Sequence, residues 1–233
     1  MTDHFQNIYK HHADRYEQLV AREDYQGHIL TALRKIRPLT GLDVVEMGAG
    51  TGRLTCLLAP LVKSIQALDL SQPMLDVAVA KLEELGLDNW AVRVGDNRNL
   101  PVEDSLADIS IAGWSFGHLT AWAGDHWRDD IGRAISEMQR VLRPGGTAII
   151  LETLGTGFET PRPPSQALAD YYAFLENDWG FSATWIRSDY QFETLVEAET
   201  LIRFFFGQEM AEKIVEHQWI IVPECTGIWW MNT

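Results

Sequence analysis

The residues with the clearest chemical promise lie at positions 44–53, Val-Val-Glu-Met-Gly-Ala-Gly-Thr-Gly-Arg. Glycines at 48, 50 and 52 permit positive φ and let a ligand approach the backbone closely. An apolar run, Leu42–Met47, precedes them, and a helical stretch, Gly52–Leu61, follows. The N-terminus of such a helix favours a negative group such as a carboxylate. Together they define a nucleotide-type ligand site at the C-terminal end of a parallel strand. The dinucleotide fingerprint G-x-G-x-x-G fails here, because Arg53 stands where its third glycine belongs. Further candidates close other apolar runs. Asp69, 17 residues after Gly52, can accept both hydroxyls of a ribose. Asp96-Asn97 follows a third run, and Trp114-Ser115-Phe116-Gly117-His118 a fourth. His118 titrates near neutral pH and is a candidate base or a hydrogen-bonded structural residue. Glu152 ends a fifth run and can orient a substrate or cap the loop after it. The seven histidines are scattered and the two cysteines, Cys56 and Cys225, are far apart, so no metal site is read.

These residues need an alternating framework. Helical spacing over Phe5–Ile36 suggests two helices with a break near Glu23–Tyr25. Strands are expected at Leu42–Met47, Ser64–Leu70, Trp90–Gly95, Ala107–Gly113 and Thr147–Glu152. Helices are expected at Gly52–Leu61, Ser71–Leu85 and Asp125–Leu142, with Ser71 as N-cap and Arg143-Pro144-Gly145-Gly146 as a turn. Such alternation implies βαβ units and a parallel sheet with right-handed crossovers. Beyond Glu152, Gly155–Pro164 reads as a loop, Ser165–Asp178 as a helix and Phe181–Phe192 as a strand. Glu193–His217 reads as one or two helices around Gly207, and Trp219–Trp230 as a last strand interrupted near Pro223.

The 233 residues suffice for one sizeable core, and 46% hydrophobic with 22% charged residues is a globular composition. A formal net charge of −14 argues against neutralising phosphates, hence against a nucleic-acid binder, and against docking on anionic membranes. The acidity is steepest in residues 151–233, with four bases against 13 acids. No 18-residue apolar run and no basic-then-apolar leader are present, so a cytoplasmic protein without a membrane span is expected.

The spacing Glu46-x-Gly48-x-Gly50-x-Gly52, with Asp69, Asp96-Asn97 and Val141–Gly146 in order over residues 42–152, resembles the class I S-adenosylmethionine (SAM) methyltransferases. Among them it is most similar to the subgroup that includes the ubiquinone and menaquinone biosynthesis enzymes. The resemblance implies a Rossmann-like, doubly wound α/β fold. Its seven-stranded, mostly parallel sheet has an antiparallel last strand, an N-terminal helical cover and a lid inserted after strand five. It implies one domain, with residues 1–40 as cover, 41–152 as SAM-binding core and 153–233 as lid and closing strands. It implies SAM as cofactor. Gly48, Ala49, Gly50 and Gly52 would wrap its methionine part and Glu46 would hold the amino-acid end. Asp69 and Leu70 would meet the ribose, Asp96 and Asn97 the adenine, and Trp114 would wall the site.

Transfer of a methyl group from a sulfonium requires an acceptor held in line at about 3–3.5 Å, with water excluded. A base is needed only if the acceptor must lose a proton. The acceptor is expected to be a small molecule contacting Tyr25, Glu152, Tyr172 and Trp185, neutral or cationic rather than polyanionic. Two other readings stay open, a non-catalytic SAM- or nucleoside-binding protein on the same fold and an NAD-dependent oxidoreductase. Phe204–Phe206 and Trp229-Trp230 are core or dimer contacts, which leaves a homodimer open.

Overall fold

The computed structural model describes residues 2–233. The glycine-loop unit comes first in the framework. Strand β1 (Asp43–Met47) runs into the glycines and then into helix α4 (Arg53–Leu58). The chain continues through β2 (Ser64–Asp69), α5 (Gln72–Glu84), β3 (Trp90–Val94) and β4 (Ala107–Gly113). A short turn (Phe116–His118), α6 (Leu119–Trp122) and α7 (Trp127–Arg140) follow, then β5 (Leu142–Thr156). These five strands are parallel, in the spatial order β3-β2-β1-β4-β5. Beyond β5 the sheet is completed by β6 (Ser182–Arg187) and β9 (Glu224–Asn232). β9 lies between β5 and β6 and is antiparallel to both, giving seven strands of which one is reversed. The expected Rossmann-like architecture is therefore what the chain adopts.

Period-two burial explains why both faces are covered. Val44, Ile109, Ile149 and Leu151 pack on one side with Ile29 and Leu33 of α3 (His28–Ile36), Leu58 of α4 and Leu82 of α5. Val45, Met47, Ala148 and Ile150 pack on the other with Ile131, Ile135 and Met138 of α7 and Leu175 of α8 (Gln166–Asn177). A third, smaller core joins Leu19 of α2 (Ala13–Val20) to the ribbon of β7 (Tyr190–Gln191) and β8 (Ile221–Val222). It also holds Leu201 and Ile202 of α9 (Leu195–Phe206) and Ile214 of α10 (Gln208–His217). Gly207, at φ 86°, separates α9 from α10. Among the described residues no helix is long and apolar enough to cross a membrane.

Local expectations differ at several places: β5 runs on to Thr156 instead of ending at Glu152, and Phe181–Phe192 is split between β6 and the separate β7–β8 ribbon. The N-terminal segment is three helices, because α1 (Thr2–His11) and α2 are offset at His12, a break without glycine or proline to announce it. Arg143–Gly146 does not stop β5. It is absorbed as a register shift between the Ala107–Leu142 and Ile109–Thr147 pairs, as a bulge allows. Ser71 occupies the N-cap of α5, but its hydroxyl donates to the Tyr9 carbonyl (2.8 Å) instead of capping.

Ile150 is fully buried on the central β5. Ile150→Ala is expected to lower unfolding free energy in urea titrations by about 2–5 kcal/mol. Val196→Ala, at a position 71% exposed, is expected to stay within about 0.5 kcal/mol of wild type.

Candidate active site

A cavity of about 630 Å³ opens above the C-terminal ends of β1, β2 and β4, within the usual range of small-molecule sites. Its floor is the glycine loop. Gly48, Gly50 and Gly52 have φ of 71°, 55° and 77°, a region that favours glycine. A Cβ at Gly48 would overlap the Ser115 side chain, and one at Gly52 would lie 2.9 Å from Cβ of Ala78. The amides of Gly48 and Ala49 donate to the Leu68 carbonyl at 2.7 and 2.9 Å. The Gly50 amide donates to Oδ2 of Asp69 (2.9 Å), whose Oδ1 accepts from the Ser71 amide (2.8 Å). Burial raises the Asp69 pKa while these amides hold it down.

Glu46 closes the floor from below. It is 2% exposed, and its carboxyl accepts from the Thr55 hydroxyl at 2.6 Å. Burial pushes its pKa up to about 8. At the far end, both oxygens of Asp96 accept from Arg98, at 2.9 and 2.7 Å, which lowers the Asp96 pKa; Arg98 also reaches Asp130 at 2.8 Å. Asn97 donates from Nδ2 to the Ser115 hydroxyl at 3.0 Å, and its Oδ1 is buried without a partner. Thr51 Oγ1 is likewise buried and unpartnered. A cavity lined by two orphaned acceptors and by Asp69 and Glu46 suits a ligand rich in hydroxyl and amine donors, as SAM is.

Trp114 follows β4 at φ 49°, an uncommon conformation for a bulky residue. Arg53 lies over its ring at 3.2 Å from the centroid and forms an ion pair with buried Glu23. The residue that breaks the dinucleotide fingerprint thus ties the glycine loop to the segment between α2 and α3. A second tie runs from Lys81 of α5 to Glu17 of α2 (2.6 Å) and to the Thr51 carbonyl (3.0 Å).

The roof is α1. Gln6, Tyr9 and Lys10, one helical face, line the cavity with Tyr16, His118, Leu119 and Trp122. His118 Nε2 and the Tyr9 hydroxyl share a hydrogen bond of 2.8 Å, and the imidazole stacks on Trp122 at 4.9 Å. Burial pushes His118 down to about 4.

The cavity lining includes Glu46, Gly48, Ala49, Gly50, Asp69, Leu70, Asp96, Asn97, Trp114 and His118, while Gly52 shapes the loop's exit from behind. The four expected acceptor contacts lie outside it. Tyr25 is 41% exposed on the turn before α3, and Trp185 is 44% exposed on β6. Tyr172 is buried, stacked on Trp229 and donating to the Thr153 carbonyl at 2.6 Å. Glu152 is buried, and its Oε1 accepts from the Gly117 amide at 2.8 Å, so it braces the turn that carries His118. Tyr9 and Tyr16, in the segment expected as helical cover, and Ser71, expected as an N-cap, also line the cavity. No spacing signal marks their place at the site, because their partners are remote in sequence. Among the described residues no group of three His, Cys, Asp or Glu is placed to hold a metal.

Residues 45–150 match the methyltransferase-domain family. The match covers a little under half of the chain, from β1 into β5. It is 33% identical over 145 residues to the malonyl-[acyl-carrier protein] O-methyltransferase of Yersinia pestis, covering 62% of this chain and 48% of that protein. It is 30% identical over 152 residues to the demethylmenaquinone methyltransferase of Staphylococcus aureus, covering 64% and 58%. The chain thus spans about half the length of the curated relatives it matches. A SAM-dependent methyltransferase from Aquifex aeolicus superposes with a TM-score of 0.58 at 16% identity, over 88% of this chain and 89% of that one, a likeness of fold.

Glu152 binds protons more readily folded than unfolded, since burial raises it from 4.5 to about 8. Over that interval the native state holds more protons, so stability falls as pH rises. The melting temperature is expected to decline between about pH 5 and 8. Glu152→Gln, which keeps an acceptor for the Gly117 amide, should flatten part of that decline in a thermal scan across pH.

Proposed function

We propose that this protein, acting as one domain over residues 1–233, transfers a methyl group from SAM to a small-molecule acceptor in the cytoplasm. The observation that carries this reading is the glycine loop bound through the Gly50 amide to Asp69 at the floor of a roofed cavity. SAM would supply an activated methyl group on a sulfonium. Gly48–Gly52 would support its methionine part, Asp69 its ribose, and Asn97 Oδ1 the adenine edge. Trp114 and the α1 roof would exclude water, which strengthens electrostatic interactions inside. A cavity of this size covered by one helix favours a free small acceptor over nucleic acid, in line with the net charge of −14. A partner copy would have to leave the roof intact.

Isothermal titration with SAM, S-adenosylhomocysteine and NAD tests the reading. Binding of both adenosyl ligands and not NAD is expected; binding of NAD alone would overturn it, and adenosyl binding with no product by mass spectrometry would favour the non-catalytic alternative. Asp69→Ala and Gly50→Val should each weaken SAM binding at least tenfold while circular dichroism stays native. The first removes a buried acceptor and the second places a β-branched side chain at φ 55°.

Glu46 provides an independent readout. Its carboxyl, at about 8, is largely protonated at pH 7, and an ammonium group arriving beside it favours the charged form. SAM binding at pH 7 should release up to about one proton, read from the buffer dependence of the binding enthalpy, and Glu46→Gln should release less.

A further inference from the structure

Resting on the proposed function, we propose that Tyr9 and His118 form a hydrogen-bonded pair that positions a planar acceptor bearing a dissociable O–H group and takes up its proton. The pair joins the roof to the turn after β4, across 109 residues of sequence. It is enclosed by rings. Tyr16 meets Tyr9 edge-on at 5.4 Å, Trp122 stacks on His118 at 4.9 Å, and Phe5 packs on His118 at 5.5 Å. Such walls suit a flat ring, held by offset or edge contacts.

The charges at this end argue for a neutral acceptor. His118 is neutral at pH 7, and burial raises Tyr9 well above its usual value, so it is neutral too. The carboxylates lining the cavity are engaged elsewhere: Asp69 by the Gly50 and Ser71 amides, Glu46 by Thr55, Asp96 and Asp130 by Arg98. A cationic acceptor would therefore meet a sulfonium without a free carboxylate beside it. A hydroxyl that becomes an oxyanion as it attacks is stabilised by that same positive charge. This narrows the earlier expectation of neutral or cationic acceptors to neutral ones.

Tyr9 is fixed for the task. Its carbonyl accepts from the Ser71 hydroxyl, and Ser71 is held by Asp69. His118 sits on the turn braced by Glu152. The step balances as follows: an O–C bond forms to the methyl group, the C–S bond breaks and sulfur keeps its pair. The acceptor proton passes to the Tyr9 oxygen while the Tyr9 proton passes to Nε2 of His118. One cation, the sulfonium, is replaced by another, the imidazolium, which at about 4 returns its proton to neutral solvent.

The test uses protein saturated with S-adenosylhomocysteine and two probes, phenol and its methyl ether anisole. Wild type is expected to bind the phenol at least tenfold more tightly than the ether, the effect of about one hydrogen bond. Tyr9→Phe should bring that ratio close to one while S-adenosylhomocysteine affinity is unchanged, and His118→Asn should lower it. With SAM, turnover of phenol by His118→Asn should fall about a hundredfold or more, with KM changed far less. Equal affinity for the two probes, failure of the loaded wild type to bind the phenol, or a ratio insensitive to Tyr9→Phe would overturn the pair's role. Loss of S-adenosylhomocysteine binding by wild type would sink the cofactor reading instead, so the two failures are distinguishable.

Discussion

The site depends on one carboxylate. Asp69 ends β2, and its two oxygens take the amides of Gly50 and Ser71, which belong to the loops after β1 and β2. A loop with three positive-φ glycines has few regular backbone partners, so its amides need an acceptor that the fold supplies. The Leu68 carbonyl takes two and Asp69 takes the third. In a buried setting such charge-assisted bonds are stronger than neutral ones. From Asp69 the contacts continue through Ser71 to the Tyr9 carbonyl and, along Tyr9, to His118. The floor and the roof of the cavity are thus connected by consecutive hydrogen bonds and one side chain.

A second constraint is electrostatic. Arg53 carries a charge into the interior, where an unpaired ion is costly and an ion pair with an additional partner is tolerated. Glu23 supplies the countercharge and the Trp114 ring a polarizable face. The arrangement holds Trp114 at φ 49°, a conformation that persists only where its surroundings over-determine it. The cover segment and the wall of the site therefore share a single guanidinium, and the position that excludes a dinucleotide loop becomes the anchor of the N-terminal helices.

Much of this was legible in the chain because the informative patterns are local. Val44–Gly52 and Asp69 declare themselves through glycine spacing and apolar runs, and each buried strand is a short apolar segment with its turn signals. What escaped was long-range or unpunctuated. The break at His12 has no glycine or proline, and the Arg143–Gly146 turn residues are accommodated as a bulge inside a 15-residue strand. Aromatic type could not separate pocket from surface. Tyr172 went to the core and Trp185 to the face of the outermost strand, while Tyr9 reached the cavity only because α1 lies across it. Glu152 was expected to end β5, but the strand runs on to Thr156, and whether Glu152 faced a ligand or a backbone amide depended on a turn 35 residues away.

The position of β9 has a consequence for how the molecule assembles. β9 pairs with β5 from the Thr147–Asn232 pair to the Thr156–Glu224 pair and with β6 from the Ser182–Trp230 pair to the Arg187–Cys225 pair, so the strand that is latest in sequence is an interior one. Until it inserts, β5 and β6 both present unpaired edges, and an open edge is a template for pairing with another chain. The closing contact also spans a long loop, which places it among the slow events of folding. During synthesis the glycine-loop half can form its parallel sheet early. The nascent chain then carries two adhesive edges until the tryptophan-rich last strand arrives, and in that interval it is most vulnerable to association with its neighbours.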